Sequence, residues 1–84
     1  GKVMTPIVKN GIYKHFKGKN YRLIDVVRHS ESLEELILYE ALYENELGKL
    51  WVRPINMFLG FTEKEGQLVP RFEYIGDKKG SETL

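Results

Sequence analysis

There is no cysteine among the 84 residues, so neither a disulfide framework nor a thiolate metal site can be built. A chain without thiols suits a reducing compartment, and a cytoplasmic location is expected. No apolar run approaches the roughly 20 residues that cross a bilayer, and the N-terminus lacks a secretory pattern. Histidine is scarce: His15 and His29 stand alone, with no H-E-x-x-H or H-x-H spacing to hold zinc. The glycines form no phosphate loop, since Gly18 sits singly in Lys17-Gly18-Lys19. Nothing here calls for a metal or a cofactor. Net charge is only +1, which argues against strong non-specific binding to nucleic acid. The chain opens at Gly1 with Met4 three residues on; whether Gly1–Val3 is native stays open.

What the chain does have is aromatic area. Ten Phe, Tyr and Trp residues supply one modest core, and the length suits one domain rather than two. So small a domain cannot enclose all ten, so at least one of Tyr13, Tyr39 and Tyr43 is expected at the surface. Charge is unevenly placed. Residues 1–30 carry seven Lys/Arg against Asp25 alone, and residues 31–48 carry six glutamates and no base. The plainest reading is two segments lying side by side; the alternative is a footprint for a partner.

Alternation places a strand at Ile12–Phe16 and another at Tyr21–His29, joined by the turn Lys17-Gly18-Lys19-Asn20. Lys14, Lys17, Lys19 and Arg22 would gather at the tip of this hairpin. Residues 32–48 are ambiguous, and local propensity alone favours a helix. Ser32-Leu33-Glu34-Glu35 carries a capping-box signal for a helix, whereas Ile37, Tyr39, Ala41 and Tyr43 alternate as a strand does. In the strand reading, 36–43 returns through Leu50–Pro54. Ile55–Gly60 looks like one helical turn, Thr62–Gln67 a polar loop, and Leu68–Ile75 a last strand interrupted by Pro70. The expected division is an N-terminal arm at 1–10, loosely attached or an edge strand, a single domain at 11–75, and a disordered tail at 76–84.

Several motifs, in order, carry a family resemblance. They are Gly11-Ile12-Tyr13-Lys14-His15-Phe16-Lys17-Gly18, Arg28-His29-Ser30-Glu31-Ser32, Trp51-Val52-Arg53-Pro54 with Met57-Phe58, and Val69-Pro70-Arg71-Phe72. This resembles the small bacterial family known as domain of unknown function 1653, patterned G-x-Y-x-H-x-K-G, R-H-S-E-T, and W-V-R-P followed by M-F. The chain departs at Ser32, where the family has Thr, and in the long acidic loop 44–49. The resemblance implies a mainly β fold, an SH3-like barrel of short antiparallel strands with a helical turn near 55–59. It therefore favours the strand reading of 36–43. It implies no activity.

Candidate chemistry follows. Ser30 beside His29 suggests a nucleophile and base, but neighbours on a strand point to opposite faces, so the hydroxyls of Ser30 and Ser32 are expected to cap a turn instead. Trp51 and Arg53 share a face and suit an anion plus a stacking group. The plainer reading puts Trp51 in the core and pairs Arg53 with a glutamate. The expected site is His15, His29, Ser30, Glu31, Trp51 and Arg53. The turn 28–34 is placed beside Arg53, with Glu31 or Glu34 as its ion-pair partner or with His29 in a shared pocket. The leading expectation is a non-catalytic recognition module for a peptide or small anionic ligand, monomeric or weakly dimeric. The alternatives are an RNA- or DNA-binding module using Lys14, Lys17, Lys19 and Arg22, a hydrolytic enzyme using His15, His29 or Ser30, or a structural role in which Val3–Val8 adds a strand to a neighbour.

Overall fold

The computed structural model describes residues 5–77. In chain order the elements are β1 (Gly11–His15), β2 (Asn20–Arg28), β3 (Glu35–Ala41), β4 (Leu50–Pro54), α1 (Ile55–Leu59), β5 (Phe61–Lys64), β6 (Gln67–Pro70) and β7 (Phe72–Asp77). Five strands form one antiparallel sheet in the order β4-β3-β2-β1-β7, and β5 pairs with β6 as a separate hairpin. The fold is mainly β, as the sequence implied. Among the described residues no ladder joins β4 to β7, so the barrel is rolled but open. Irregularities at Ile12/Tyr13 and Leu23/Asp25 help to roll it, because a bulge bends and twists its strand.

Residues 35–41 form a strand, not a helix, and pair with β4 from Leu36↔Pro54 to Glu40↔Leu50. The capping signal is used otherwise. Leu33 takes φ +65°, a left-handed conformation that no helix continues through, and Ser32 Oγ accepts from the Glu34 amide at 3.2 Å. Burial then decides the register: Ile37, Tyr39 and Ala41 are buried while the residues between them are half-exposed.

One face of the rolled sheet carries the core. Tyr13, Leu23, Ile37, Tyr39 and Phe72 come from the strands, and Phe58 of α1 caps them. Phe58 stacks on Phe72 with centroids 4.1 Å apart and planes 6° apart, and it meets Tyr13 and Tyr39 at 5.3 and 5.4 Å. Pro54 ends β4 and is the N-cap residue of α1, where a missing N–H breaks no helical hydrogen bond. None of the ten aromatics is fully exposed. Tyr13 and Tyr39 are buried and Tyr43 is half-buried, because the rings pack on one another and lie under cationic stems.

Two segments differ from the sequence expectation. The polar stretch 62–67 is not a loop but the hairpin β5–β6, turning at Glu65 (φ +53°) and Gly66 (φ +82°), the paired positive angles of a tight hairpin turn. The interrupted strand 68–75 is two strands, parted at Arg71, and β7 continues through Gly76 and Asp77 against Ile12 and Gly11. Gly76 and Asp77, expected in the tail, thus belong to β7, and the rest of the expected tail, 78–84, lies outside the described residues, as do arm residues 1–4. Arm residues 5–10 form no strand but are tied down. The Val8 amide donates to Tyr13 Oη, Tyr13 Oη donates to the Pro6 carbonyl, and Thr5 Oγ1 donates to the Phe72 carbonyl. Gly11 permits this seat, because a Cβ there would meet Tyr74 at 2.8 Å and the Val8 carbonyl at 2.9 Å.

Phe58 is fully buried among three rings, so Phe58→Ala is expected to destabilise by about 3–5 kcal/mol. Leu47→Ala, at a side chain 82% exposed, is expected to change stability by less than about 0.5 kcal/mol. Thermal or urea unfolding of the two variants checks both; equal effects would mean that α1 does not close the core.

Candidate functional site

The strand register explains which polar side chains meet. Tyr39 faces Trp51 and Ile37 faces Arg53 across β3–β4, while His15 faces Phe72 across β1–β7. Because the sheet is rolled, Arg53 at one end reaches Phe72 at the other: its guanidinium carbon lies 5.4 Å from the Phe72 ring centre. The His15 ring lies 4.9 Å from the same centre, and Tyr21 and Tyr39 each lie 5.6 Å from it. Phe72 is therefore a buried floor whose rim carries a guanidinium, an imidazole and tyrosine rings.

The donors on this rim are only partly used. Arg53 Nε donates to Tyr39 Oη at 3.3 Å, and its terminal amino groups make no bond among the described residues. His15 Nδ1 accepts from the Lys17 amide at 3.1 Å, so in the neutral ring the proton sits on Nε2, which is left to donate. Tyr21 and Tyr43 share a hydrogen bond at 2.6 Å. Burial first, and then that bond, push the Tyr21 hydroxyl well above its ordinary value, so it stays a neutral donor or acceptor.

A second arginine, Arg71, lies at the break between β6 and β7. The Arg71 amide and carbonyl bond to the Gly60 carbonyl and the Phe16 amide, fixing this residue beside His15–Phe16 in register. Its Nε is buried and has no hydrogen-bond partner. His15 registers both guanidinia. Burial, then Arg53, Lys17 and Arg71, hold its basicity below the ordinary histidine value. No carboxylate offsets them. Among the described residues Asp25 pairs with Lys9, Glu35 with Arg28, and Glu40 with both Arg22 and Lys49, while neither Arg53 nor Arg71 has an ion-pair partner.

The expected site residues divide between two places. His15, Arg53 and Trp51 lie on the covered face of the sheet, although the Trp51 indole packs against the core and donates to the Gly48 carbonyl at 3.2 Å. His29, Ser30 and Glu31 are exposed in the turn after β2. That turn satisfies itself: His29 Nδ1 accepts from the Glu31 and Ser32 amides at 3.1 and 3.3 Å, and the Leu33 amide returns to the His29 carbonyl. The nearby arginine that ties the turn is Arg28, which donates to the Leu33 carbonyl and pairs with Glu35. Arg53 turns inward to Tyr39 and Phe72 instead of toward Glu31 or Glu34, because its register puts it on the covered face. Sequence reading named neither Arg71 nor Tyr39 as a site residue. The break at Pro70-Arg71 was the only available signal for the first, and the partnership of Tyr39 with Arg53 was implicit in the strand pairing.

The basic hairpin is dispersed. Arg22 is held by Glu40 at 3.3 Å, Lys19 lies over Tyr43 and Lys17 over Phe16, while Lys14 stands opposite Glu73. One hollow lies in the β3–β4 loop and is lined by Glu40, Glu44, Glu46 and Lys49 among others; another lies beside His15, where Lys14, Lys64, Pro70 and Glu73 line it. No cluster of metal-ligating side chains occurs among the described residues, and no described helix is long and apolar enough to cross a membrane.

These features define a small, mainly β domain with a rolled sheet and a cationic rim around a buried aromatic floor. The chain belongs to the protein family of unknown function DUF1653, whose model matches residues 11–74. It is similar to a protein of that family from Bordetella bronchiseptica whose crystal structure is known. That similarity has 26% identity and a TM-score of 0.78, over 83% of this chain and 90% of that one. No curated protein matches the chain.

The His15 arrangement has a testable sign. The unfolded chain takes up a proton near the ordinary histidine value of about 6.5, earlier on acidification than the folded one. Stability from this group is therefore fully present above about pH 6.5 and falls as pH drops toward the lower folded value. Proton NMR titration is expected to place the His15 midpoint below 6.5 and to move it upward in Arg53→Gln. A midpoint unaffected by that substitution would separate the two side chains.

Proposed function

We propose that the domain is a non-catalytic recognition module that holds an anionic group at the rim formed by Arg53 and His15. The observation that carries this reading is a half-buried arginine with free amino groups and no carboxylate partner, set against a histidine and tyrosine hydroxyls. A guanidinium presents parallel N–H donors suited to oxyanions, and such bonds gain strength where water is partly excluded. The Phe72, Tyr39 and Tyr21 rings beneath it supply that exclusion. Binding is favoured over catalysis because the Ser30 and His29 pair lies in an exposed turn whose histidine nitrogen is already bonded to amides. Small-ligand recognition is favoured over nucleic acid because Arg22 is neutralised by Glu40 and the lysines of the hairpin point to separate places. With no cysteine to protect, work in a reducing cytoplasm fits the same reading.

The experiment is an NMR titration with small anions at constant ionic strength, with methylammonium as the control. Saturable shifts at Arg53, His15 and Tyr39 are expected with anions and not with the cation. In Arg53→Gln they are expected to vanish while stability changes by about 1 kcal/mol or less, the scale of one cation–π contact. Shifts that never saturate with any anion would refute the reading.

A further inference from the structure

The five-stranded sheet has two edges, β4 and β7, and they are not alike. The Phe16 amide bonds to the Arg71 carbonyl, so by alternation Phe72 turns its amide and carbonyl away from β1, and Thr5 Oγ1 of the arm takes that carbonyl at 3.3 Å. β4 has no such cover. The Ala41 amide donates to the Lys49 carbonyl at 2.8 Å, and in the unbroken register that follows Tyr39↔Trp51 and Ile37↔Arg53 are the next bonded pairs. Leu50 and Val52 therefore turn amide and carbonyl away from β3. Among the described residues no strand pairs with that side of β4, and no hydrogen bond reaches those groups. The same two residues carry apolar side chains on the outer face, opposite to Trp51 and Arg53, where Leu50 is 61% and Val52 52% exposed. An open edge of this kind is a template for another strand.

The ends of the edge limit what fits it. Pro54 has no N–H, and as the N-cap it gives its carbonyl to the first helical amide. The open stretch is thus Leu50 and Val52. A second β4 satisfies both in one symmetric register. With a two-fold axis at Trp51, Leu50 of each copy exchanges both backbone bonds with Val52 of the partner subunit. An axis at Val52 would need the Pro54 carbonyl and would leave the Leu50 carbonyl without a donor. Charge favours the same occupant. Among the described residues Arg53 at one end of β4 has no ion-pair partner, and neither do Glu44 and Glu46, exposed in the loop that leads into the other end. Antiparallel pairing brings the Arg53 end of each copy to the acidic loop of the other. Lys49, which then stands opposite Arg53, is held by its own Glu40 at 3.3 Å, so no uncompensated like charges face across the seam. We propose that two copies of this chain associate through β4, antiparallel about Trp51, with Leu50 and Val52 of both copies forming the apolar outer side of the seam. Such an interface is isologous and closes at two copies. It does not depend on the anion reading, since neither Leu50 nor Val52 belongs to that rim.

The test is sedimentation velocity on the full chain from about 10 μM to 1 mM, the weak range that so short a seam implies. Average mass is expected to rise from one copy toward two and to stop there. Val52→Lys places a charge on the edge and should weaken association about tenfold or more. Leu68→Lys, on β6 at a side chain 67% exposed, should leave it unchanged. Melting curves show that the variants are folded, and amide exchange on the unsubstituted chain reads the edge without any substitution. The Leu50 and Val52 amides should exchange more slowly as concentration rises. The chain has no cysteine, so introduced ones report the register. Mixing Leu50→Cys with Val52→Cys under mild oxidation is expected to give the mixed disulfide as the main product. A single copy at every concentration would overturn the proposal, as would a mass that keeps growing past two. Association untouched by Val52→Lys, or weakened equally by Leu68→Lys, would remove β4 as the interface. Self-linked Val52→Cys as the main product would overturn the pairing about Trp51.

Discussion

Phe72 is the side chain on which the molecule converges. It is 1% exposed, yet it is reached by residues from every quarter: Phe58 of α1 stacked on it, Tyr21 of β2, Tyr39 of β3 and His15 of β1 around it, and Arg53 of β4 over it. A single antiparallel sheet can bury only one face, and a domain this small has no second sheet of comparable size to lay against it. Rolling the sheet and capping it with one helical turn solves the problem, provided a large flat side chain fills the middle. The ring that fills it is also the floor of the cationic rim. Core packing and site geometry are therefore the same set of contacts seen from two sides.

The electrostatics follow from that coincidence. Placed over an aromatic floor, a guanidinium is partly removed from water and its field is less screened than on an open surface. His15 responds: its burial first, and then the neighbouring positive charges, make it hold its proton less tightly. Elsewhere in the fold the opposite rule holds. Glu40, with its side chain 17% exposed, is bracketed by Arg22 and Lys49, and Asp25 takes both the Val26 amide and Lys9. The acidic excess of residues 31–48 is thus used partly against the basic excess of residues 1–30, as side-by-side placement suggested. Arg53 and Arg71 belong to neither segment, and among the described arginines they are the two without a carboxylate partner, since Arg22 and Arg28 have theirs.

Much of the fold was legible because the relevant signals are local. The hairpin β1–β2 announces itself through alternation and Gly18; the β3–β4 pairing does not, since local propensity at 33–47 favours a helix and the family resemblance was what favoured the strand. The capping-box signal at Ser32 was real as hydrogen-bond chemistry but misleading as a helix start, because the same hydroxyl that caps a helix also closes a turn. The hairpin β5–β6 was hidden because its residues are largely exposed and so carry no apolar alternation; Glu65-Gly66 was its only mark. The assembly of the site was illegible for a different reason. Arg53 and Phe72 lie on strands at opposite ends of the sheet order, and only curvature brings them together. Curvature depends on bulges and core volume, which a pattern of alternation does not encode.

That distinction bears on how the motifs of this family divide. In Arg28-His29-Ser30-Glu31-Ser32, the polar atoms with clear partners find them within the turn: His29 on two amides, Ser32 on a third, Arg28 on a carbonyl and Glu35. Such a segment explains its own residue types, since each fixes a turn that carries the chain from β2 to β3. The other polar motif residues do not explain themselves in this way. His15 uses one nitrogen and leaves the other, Arg53 uses Nε and leaves its two amino groups, and Arg71 leaves a buried Nε with nothing. A side chain that merely stabilised the fold would be worth more as an apolar residue of similar volume than as a half-satisfied cation. Of this leftover capacity, that of His15 and Arg53 lies against the Phe72 ring. Half-satisfied donors of this kind cost the empty domain stability, which is the physical ground of the anion-binding reading proposed above.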